Sequence, residues 1–375
     1  MSTFYVATVV FALVSVVLVR RWLPPRYAVP VIGFKFILPL FYRFLSGRYL
    51  PRYNEVAGDS WYSQTNRILD EGHTPVSLLL DGFAPIESMM GTTDPFYWWW
   101  TAVWLTTIEN TVYAPLLANV FVLVIASVVF TALLDRLAYD YRYQQLFLVF
   151  SLLHWEVVTW SSIFSHKDPL MALLTVSALY LIVAAVHAST TRGLLGSLGA
   201  LGAVLWVIPF VRWYITAILL VAVALWLALE WTLASDRIGV PHVAFAGVFL
   251  PVVFLTLLTW GDALARISVS DYPIGLFRIA IGPVPGGTAP EYGFLNFVSV
   301  FHWLLAPAAV VGAATLARGR YERLLLIYAV LLVLVYAGAV DSPRFRLQIV
   351  LIVALAQFHG LWFMVTRRYE VSVRT

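Results

Sequence analysis

Residues whose types could do chemistry are concentrated in four short polar stretches between long apolar runs. The first stretch is Gly58-Asp59-Ser60-Trp61-Tyr62. A carboxylate beside aromatic side chains at a membrane surface is partly desolvated and can accept a proton from a hydroxyl group. Asp59 is therefore a candidate general base, and Tyr62 is a candidate pocket residue. The alternative interpretation is a solvated acid in a loop.

The second stretch is Ser165-His166-Lys167-Asp168-Pro169, a tight turn between two apolar runs. Asp168 followed by Pro169 is typical of a helix start, which explains both residues without a function. A helix start does not explain His166 and Lys167 at the tip of the hairpin. Lys167 at the level of the lipid head groups could hold a phosphate, and His166 and Asp168 would then line the same pocket.

The third stretch places Arg212 between two apolar runs with almost no loop, followed by Trp213 and Tyr214. An ionisable residue so close to hydrocarbon is a candidate for function. Arg212 is therefore a candidate functional residue, and Trp213 and Tyr214 are candidate pocket residues beside it. The alternative is an interfacial arginine anchored by its aromatic neighbours.

The fourth stretch holds Arg344 and Arg346, two positions apart at the start of the last apolar run. Two guanidinium groups near one point of a surface suit bidentate phosphate binding. The alternative is that both side chains extend along the chain to reach the membrane surface.

The composition indicates which kind of secondary structure carries these residues. Hydrophobic residues make up 61% of the 375 residues, charged residues only 12%, and the mean hydropathy is +0.84. Soluble domains carry about 25% charged residues. The pattern predicts an all-α polytopic transmembrane helical bundle with about eleven spans. The predicted spans are residues 4–19, 28–45, 112–134, 143–163, 168–187, 194–211, 213–233, 241–260, 295–316, 322–340 and 345–366.

The predicted organisation is one integral membrane domain over residues 1–375 with two long outer loops, 46–111 and 261–294. Short interfacial helices are expected in the first loop, one of them over the aromatic run 96–104. Glycines at every third position from Gly193 to Gly202 predict close helix contact. Arginines concentrate in the short loop 317–323 and the C-terminal tail. The N-terminus is therefore predicted outside and the C-terminus in the cytoplasm of a plasma membrane protein.

Several function classes are disfavoured by motifs that the sequence lacks. It has no cysteine, and hence neither disulfides nor thiolate metal ligands. His-Glu-x-x-His, P-loop and Gly-x-Ser-x-Gly patterns are also absent, so no ATP-driven pump is indicated. Basic residues flank apolar runs, which argues against nucleic acid as a partner. No metal site and no certain cofactor are predicted, although a divalent cation on outer carboxylates stays an alternative.

The four stretches, taken in order, resemble the GT-C superfamily of membrane glycosyltransferases. Asp59-Ser-Trp-Tyr62 is similar to the Asp-x-x-Tyr of the first outer loop in such proteins. Residues 165–180 (SHKDPLMALLTVSALY) look like the Lys-Asp-Pro hairpin of proteins from polysaccharide-synthesis clusters. Residues 275–285 and the Arg344-Phe-Arg346-Leu-Gln348 stretch are also similar. The resemblance covers most of the chain, and each of its motifs is short.

The resemblance implies an inverting transfer of a sugar from a polyprenyl-phosphate donor to a glycan, lipid or protein acceptor at the outer membrane face. It implies that Asp59 is the base and that Lys167, Arg212, Arg344 and Arg346 bind the donor phosphate. Membrane lipids are the further expected partners. Two other functions stay open: a flippase or transporter of lipid-linked glycans, and an oligosaccharide polymerase or ligase.

Overall fold

The computed structural model describes residues 2–46, 59–91, 95–163, 165–233, 272–282, 284–286, 295–339 and 343–373. Every regular element within these ranges is helical, which agrees with the predicted all-α class. Six of the helices are long and apolar enough to cross a membrane, and a bent helix pair makes a seventh if it counts as one span. The chain is therefore a multi-pass membrane protein.

The chain forms short and long helices, and their order along the chain is the one that the apolar runs predict. Up to residue 186 they are α1 (Thr3–Val19), α2 (Pro25–Ser46), α3 (Asp59–Asp70), α4 (Pro75–Leu80), α5 (Ala84–Met90), α6 (Phe96–Thr107), α7 (Tyr113–Arg136), α8 (Tyr141–Leu153), α9 (Trp155–Ile163) and α10 (Asp168–Val186). The others are α11 (Thr191–Leu233), α12 (Tyr272–Ala280), α13 (Leu295–Leu316), α14 (Arg320–Ala339), a 3-10 helix (Pro343–Ile349) and α15 (Val350–Val373).

Contacts between residues group the chain into two compact units. The first unit holds the described residues of Met1–Ile182 and Gly196–Trp213. The second unit holds those of Val183–Leu195, Tyr214–Thr288 and Phe294–Thr375. The single membrane domain predicted over residues 1–375 stays a prediction.

The helices that could cross a membrane match most of the predicted spans. They are Pro25–Leu45, Tyr113–Arg136, Asp168–Val186, Thr191–Thr232, Asn296–Leu316 and Arg346–Thr366, with Thr3–Val19 as a shorter apolar helix. The fourth has 42 residues, about twice as many as one span needs. It covers two predicted spans and is broken at Arg212, where the backbone is extended (φ −157°, ψ 101°). The predicted span 322–340 forms α14, which is not among the helices that could cross a membrane. The predicted span 241–260 lies outside the described residues, and the count of about eleven stays a prediction.

Polar groups join the ends of α1 and α2 to the connection before α7. Both terminal nitrogens of Arg43 donate to the Glu109 carboxylate, at 3.1 and 3.0 Å. The Ser2 hydroxyl donates to the same carboxylate at 2.5 Å, and the Ser2 oxygen caps α1 by accepting from the Phe4 N–H. In addition to these hydrogen bonds, α1, α2 and α7 share an apolar core. The first unit is thus fastened at this end by one shared carboxylate.

The predicted span 143–163 is a broken helix rather than a continuous one. Helices α8 and α9 meet at His154 with a bend of 40°. The break interrupts the helical ladder, and the Lys35 ammonium of α2 donates to the Leu152 carbonyl near it, at 3.2 Å. Lys35, His154 and Glu156 are all at most 1% exposed. A buried lysine thus supplies a hydrogen bond to the backbone beside the bend.

Helix α3 packs against α6, the helix formed by the predicted aromatic run. The Trp61 ring lies 5.0 Å from the Tyr97 ring and 4.2 Å from the Trp98 ring, measured between centroids. Tyr97 and Trp98 are buried, so α6 supports α3 from within the first unit. The helix over 96–104 is confirmed; its position at the membrane surface stays a prediction.

In the second unit, α13 and α15 approach through two glycines. A Cβ atom built on Gly312 would overlap the Ala356 carbonyl, and one built on Gly360 would overlap the Ala308 carbonyl. Ala308 and Gly312 are four residues apart, as are Ala356 and Gly360, so each helix presents one small pair to the other. This spacing lets two membrane helices pack backbone against backbone.

The glycine repeat of α11 does not make such a contact among the described residues. A Cβ atom built on Gly196, Gly199 or Gly202 has no described atom within 4 Å. The described residues thus supply no close helix contact at these three glycines, and the predicted contact stays a prediction.

Candidate functional site

The turn of residues 165–168, between α9 and α10, is held by polar side chains of the first unit. The hydroxyl groups of Tyr97 and Ser165 are hydrogen-bonded at 3.0 Å. The Asn119 amide donates to the His166 carbonyl at 3.0 Å and to the Tyr97 hydroxyl at 3.4 Å. Burial raises the pKa of Tyr97, although hydrogen bonds from Ser165 and Asn119 oppose this shift. The Tyr97 phenol therefore stays protonated and keeps its hydrogen bonds with Ser165 and Asn119.

Asp168 and Arg212 form a buried ion pair on the far side of the same turn. A terminal nitrogen of Arg212 donates to Asp168 Oδ1 at 2.7 Å, and the side chains are 7% and 1% exposed. Asp168 is the first residue of α10, so the predicted helix start is confirmed. Removing one member of a buried pair leaves an uncompensated charge and typically costs about 3–5 kcal/mol. The pair thus locks the start of α10 to the break in α11.

Lys167 lies between these two anchored positions and faces helix α3. Its ammonium is 5.8 Å from the centroid of the Trp61 ring. Trp61 is two residues after Asp59, the residue with which α3 begins. The side chain of Asp59 lies outside what the structure describes. Next to Trp61, the Tyr62 hydroxyl donates to the Asn110 carbonyl at 3.2 Å.

Arg346 binds backbone carbonyls in the second unit. Its Nη1 donates to the carbonyls of Ile279 and Gly282, at 2.8 and 2.9 Å, and the residue is 3% exposed. These carbonyls lie at and beyond the end of α12, where a helix presents unpaired acceptors and partial negative charge. The backbone of Arg344 lies in the 3-10 helix, and its side chain lies outside the described structure. Phosphate binding by either arginine stays a prediction.

The predicted site residues are therefore distributed over both units. The first unit brings His166, Lys167, Asp168 and Arg212 together at one turn. Trp213, 39% exposed, also belongs to the first unit. The Tyr214 hydroxyl belongs to the second, where it is hydrogen-bonded to the Tyr336 hydroxyl at 2.8 Å. Gln348 donates to the same Tyr336 oxygen at 2.8 Å.

Sequence reasoning missed four residues that form this site. Tyr97 and Trp61 were hidden in aromatic stretches that were interpreted as membrane-surface residues, and Ser165 was one polar residue of a turn. Asn119 had a usable signal, because an amide in the middle of an apolar run needs a hydrogen-bond partner. That partner, the His166 carbonyl, is 47 positions away in the sequence, and no local pattern indicates it.

What this arrangement can do chemically follows from its charges and surroundings. It offers a lysine ammonium beside an indole ring and a turn fixed by buried polar groups. Within the described ranges, no three acidic or histidine side chains are grouped to hold a metal ion, and a divalent cation stays an alternative. Comparisons of the chain with protein-family models, with curated proteins and with solved structures found no match.

Proposed function

We propose that the chain is a membrane glycosyltransferase that transfers a hexose or pentose from a polyprenyl-phosphate donor to a glycan, lipid or protein acceptor at the outer membrane face. Asp59 accepts the proton of the acceptor hydroxyl. The acceptor oxygen then bonds to the anomeric carbon from the side opposite the phosphate, which inverts that carbon. The bond between the anomeric carbon and the phosphate oxygen breaks, and polyprenyl phosphate leaves as an anion.

Lys167 is the cation that receives the leaving phosphate in this proposal. Charge that develops on the departing oxygen is stabilised by a positioned cation in a site of low dielectric, an effect of several kcal/mol in enzymes. The leaving group is a stable anion, so a fixed positive charge suffices and a strong acid is not required. The Trp61 indole beside Lys167 offers an apolar face against which a sugar ring can pack.

The observation that carries the proposal is the approach of Lys167 to α3. The ammonium lies 5.8 Å from the Trp61 ring, and Asp59 begins the same helix two residues earlier. A base and a phosphate-binding cation have to act on opposite sides of one anomeric carbon, so they have to lie within a few ångströms of one sugar. The contact of Lys167 with Trp61 supports the proposal, because Asp59 begins the same helix.

The first prediction concerns the proposed base. Purified protein in lipid nanodiscs is incubated with a panel of polyprenyl-phosphate hexoses and pentoses, and new glycosidic products are measured by mass spectrometry. Asp59→Asn should lower turnover by about a hundredfold or more, because a general base typically contributes that much. Binding of undecaprenyl phosphate should persist, since the substitution leaves Lys167 in place.

Asp70→Asn is the matched control, because Asp70 ends the helix that Asp59 begins and is exposed. The Asp70→Asn variant should transfer sugar at the wild-type rate. Undiminished transfer by Asp59→Asn would refute the role of the carboxylate as the base.

The second candidate, a flippase for lipid-linked glycans, has one observation in its favour. Lys35, His154 and Glu156 are buried in the first unit, and His154 marks the break between α8 and α9. Broken helices with buried ionisable residues are typical of transporters. Movement of a lipid-linked glycan across liposomes without a new glycosidic bond would favour this function. A polymerase or ligase would instead form the bond with a glycan chain as donor.

A further inference from the structure

The turn of residues 165–168 is fixed by side chains from three other helices. Tyr97 of α6 binds the Ser165 hydroxyl, Asn119 of α7 binds the His166 carbonyl, and Arg212 of α11 binds the Asp168 carboxylate. Three of the four positions are therefore tied to separate elements. Lys167, the fourth position, is the one whose side chain extends to α3.

Arg212 reaches Asp168 from an interruption of its own helix. Pro209 lacks a backbone N–H and disturbs a helix around it, and three residues later the backbone of Arg212 is extended (φ −157°, ψ 101°). Its side chain is 7% exposed and that of Asp168 is 1% exposed. A charge so deeply buried is tolerated because its counter-ion is within hydrogen-bond distance.

The pairing bears on whether Arg212 can bind a phosphate directly. The charges of Arg212 and Asp168 cancel, and an incoming phosphate would be repelled by the Asp168 carboxylate at 2.7 Å from the guanidinium. The pair thus has little net attraction for an anion. Lys167 is adjacent to Asp168 in sequence, so the pair holds the backbone on one side of the lysine.

We propose that Arg212 is a positioning residue and not a phosphate ligand: through Asp168 it fixes the turn that presents Lys167 to the phosphate of a polyprenyl donor. This inference rests on the proposed function for the identity of the ligand. It replaces the direct role in phosphate binding that the sequence indicated for Arg212.

A double-mutant cycle tests the inference with undecaprenyl phosphate in lipid nanodiscs as the probe. Three variants are compared with the wild type: Lys167→Gln, the neutral pair Asp168→Asn with Arg212→Gln, and all three substitutions together. The neutral pair removes both buried charges at once, so neither is left without a partner. If Arg212 acts through Lys167, each of the first two variants binds about tenfold more weakly, and the triple variant binds no more weakly than Lys167→Gln.

A different result is expected if Arg212 and Lys167 each bind the phosphate independently. If Arg212 contacts the phosphate itself, the losses multiply to about a hundredfold in the triple variant, and the inference is overturned. Binding by the neutral pair at the wild-type level would overturn it as well. Should the neutral pair fail to fold, Arg212→Lys replaces it in the cycle, because lysine keeps the charge but lacks the planar fork.

A second readout separates this inference from the proposed function. The rate at which an amine-reactive ester acylates Lys167, followed by mass spectrometry, reports the placement of the lysine without any lipid ligand. The neutral pair should change this rate while the acylation of Lys35 stays unchanged. A wild-type protein that does not bind undecaprenyl phosphate would contradict the proposed function, whereas an unchanged Lys167 rate would contradict the positioning role.

Discussion

The carboxylate of Glu109 is shared by Arg43 and Ser2, and this sharing makes the first unit sensitive to acid. Hydrogen bonds from Arg43, then from Ser2, hold the pKa of Glu109 below its ordinary 4.5. A carboxyl group whose pKa is depressed by folding stabilises the folded state above the unfolded pKa. This stabilisation is lost as the pH falls through the folded pKa.

A thermal unfolding series in detergent from pH 7 to pH 4 tests this. Wild-type protein should lose stability as the pH falls below about 4.5, because the unfolded chain then binds a proton that folded Glu109, held by Arg43, does not yet bind. Glu109→Gln should be less stable than wild type at pH 7, and the difference should shrink toward pH 4. Glu71→Gln is the control, since Glu71 and Arg67 form an exposed pair at 3.7 Å. An equal pH response in Glu109→Gln and wild type would contradict the prediction.

Individual residues show what the sequence could and could not predict. The helix start at Asp168 and Pro169 follows from local chemistry and is confirmed. The partner of Asp168 is 44 positions away, and the two carbonyls bound by Arg346 are 67 and 64 positions away. Residue type predicts that a buried charge needs a partner, but only the tertiary arrangement determines which partner it receives.

At the scale of elements, the contact between α13 and α15 depends on glycine. A Cβ atom on Gly360 would overlap the Ala308 carbonyl, and backbone cannot give way as a flexible side chain can. Gly360→Leu should therefore destabilise the protein by about 1–3 kcal/mol, the usual cost of overpacking. The measurement is the unfolding temperature in detergent, followed by tryptophan fluorescence.

Gly199→Leu provides the matched control in another apolar helix. A Cβ atom at Gly199 meets no described atom within 4 Å, so the substitution should change stability by no more than about 0.5 kcal/mol. Equal losses in both variants would show that the approach of α13 and α15 is not what makes Gly360 necessary.

Element positions were largely predictable because apolar runs of about twenty residues are a strong signal for helices in a membrane protein. The breaks within the helices were less predictable from the sequence. Pro209 lies inside α11, but the extended residue is Arg212, and His154 interrupts α8 and α9 with no proline nearby. Among the described residues, Gly196, Gly199 and Gly202 of α11 make no close contact, whereas Gly312 and Gly360 do, since small residues permit an approach without specifying the partner.

At the scale of the whole molecule, the absence of cysteine allows a direct test of orientation. Asp81 and Arg318 are both exposed, and the distribution of arginine predicts that they lie on opposite sides of the membrane. In intact cells a membrane-impermeant maleimide should label Asp81→Cys and not Arg318→Cys. Permeabilised cells should show labelling of both, while the wild-type chain with no cysteine stays unlabelled. The reverse pattern would invert the predicted topology.

The length of α1 has a consequence for the surrounding lipid. Its 17 residues extend about 26 Å, whereas the hydrocarbon core of a bilayer is about 30 Å thick. Ser2 is tied to Glu109 at one end and Arg20 follows at the other, so polar groups bound the helix on both sides. If α1 crosses the bilayer, the mismatch has to be absorbed by shortened acyl chains or by head groups drawn inward beside it. A span of this length therefore favours a locally thin bilayer next to α1.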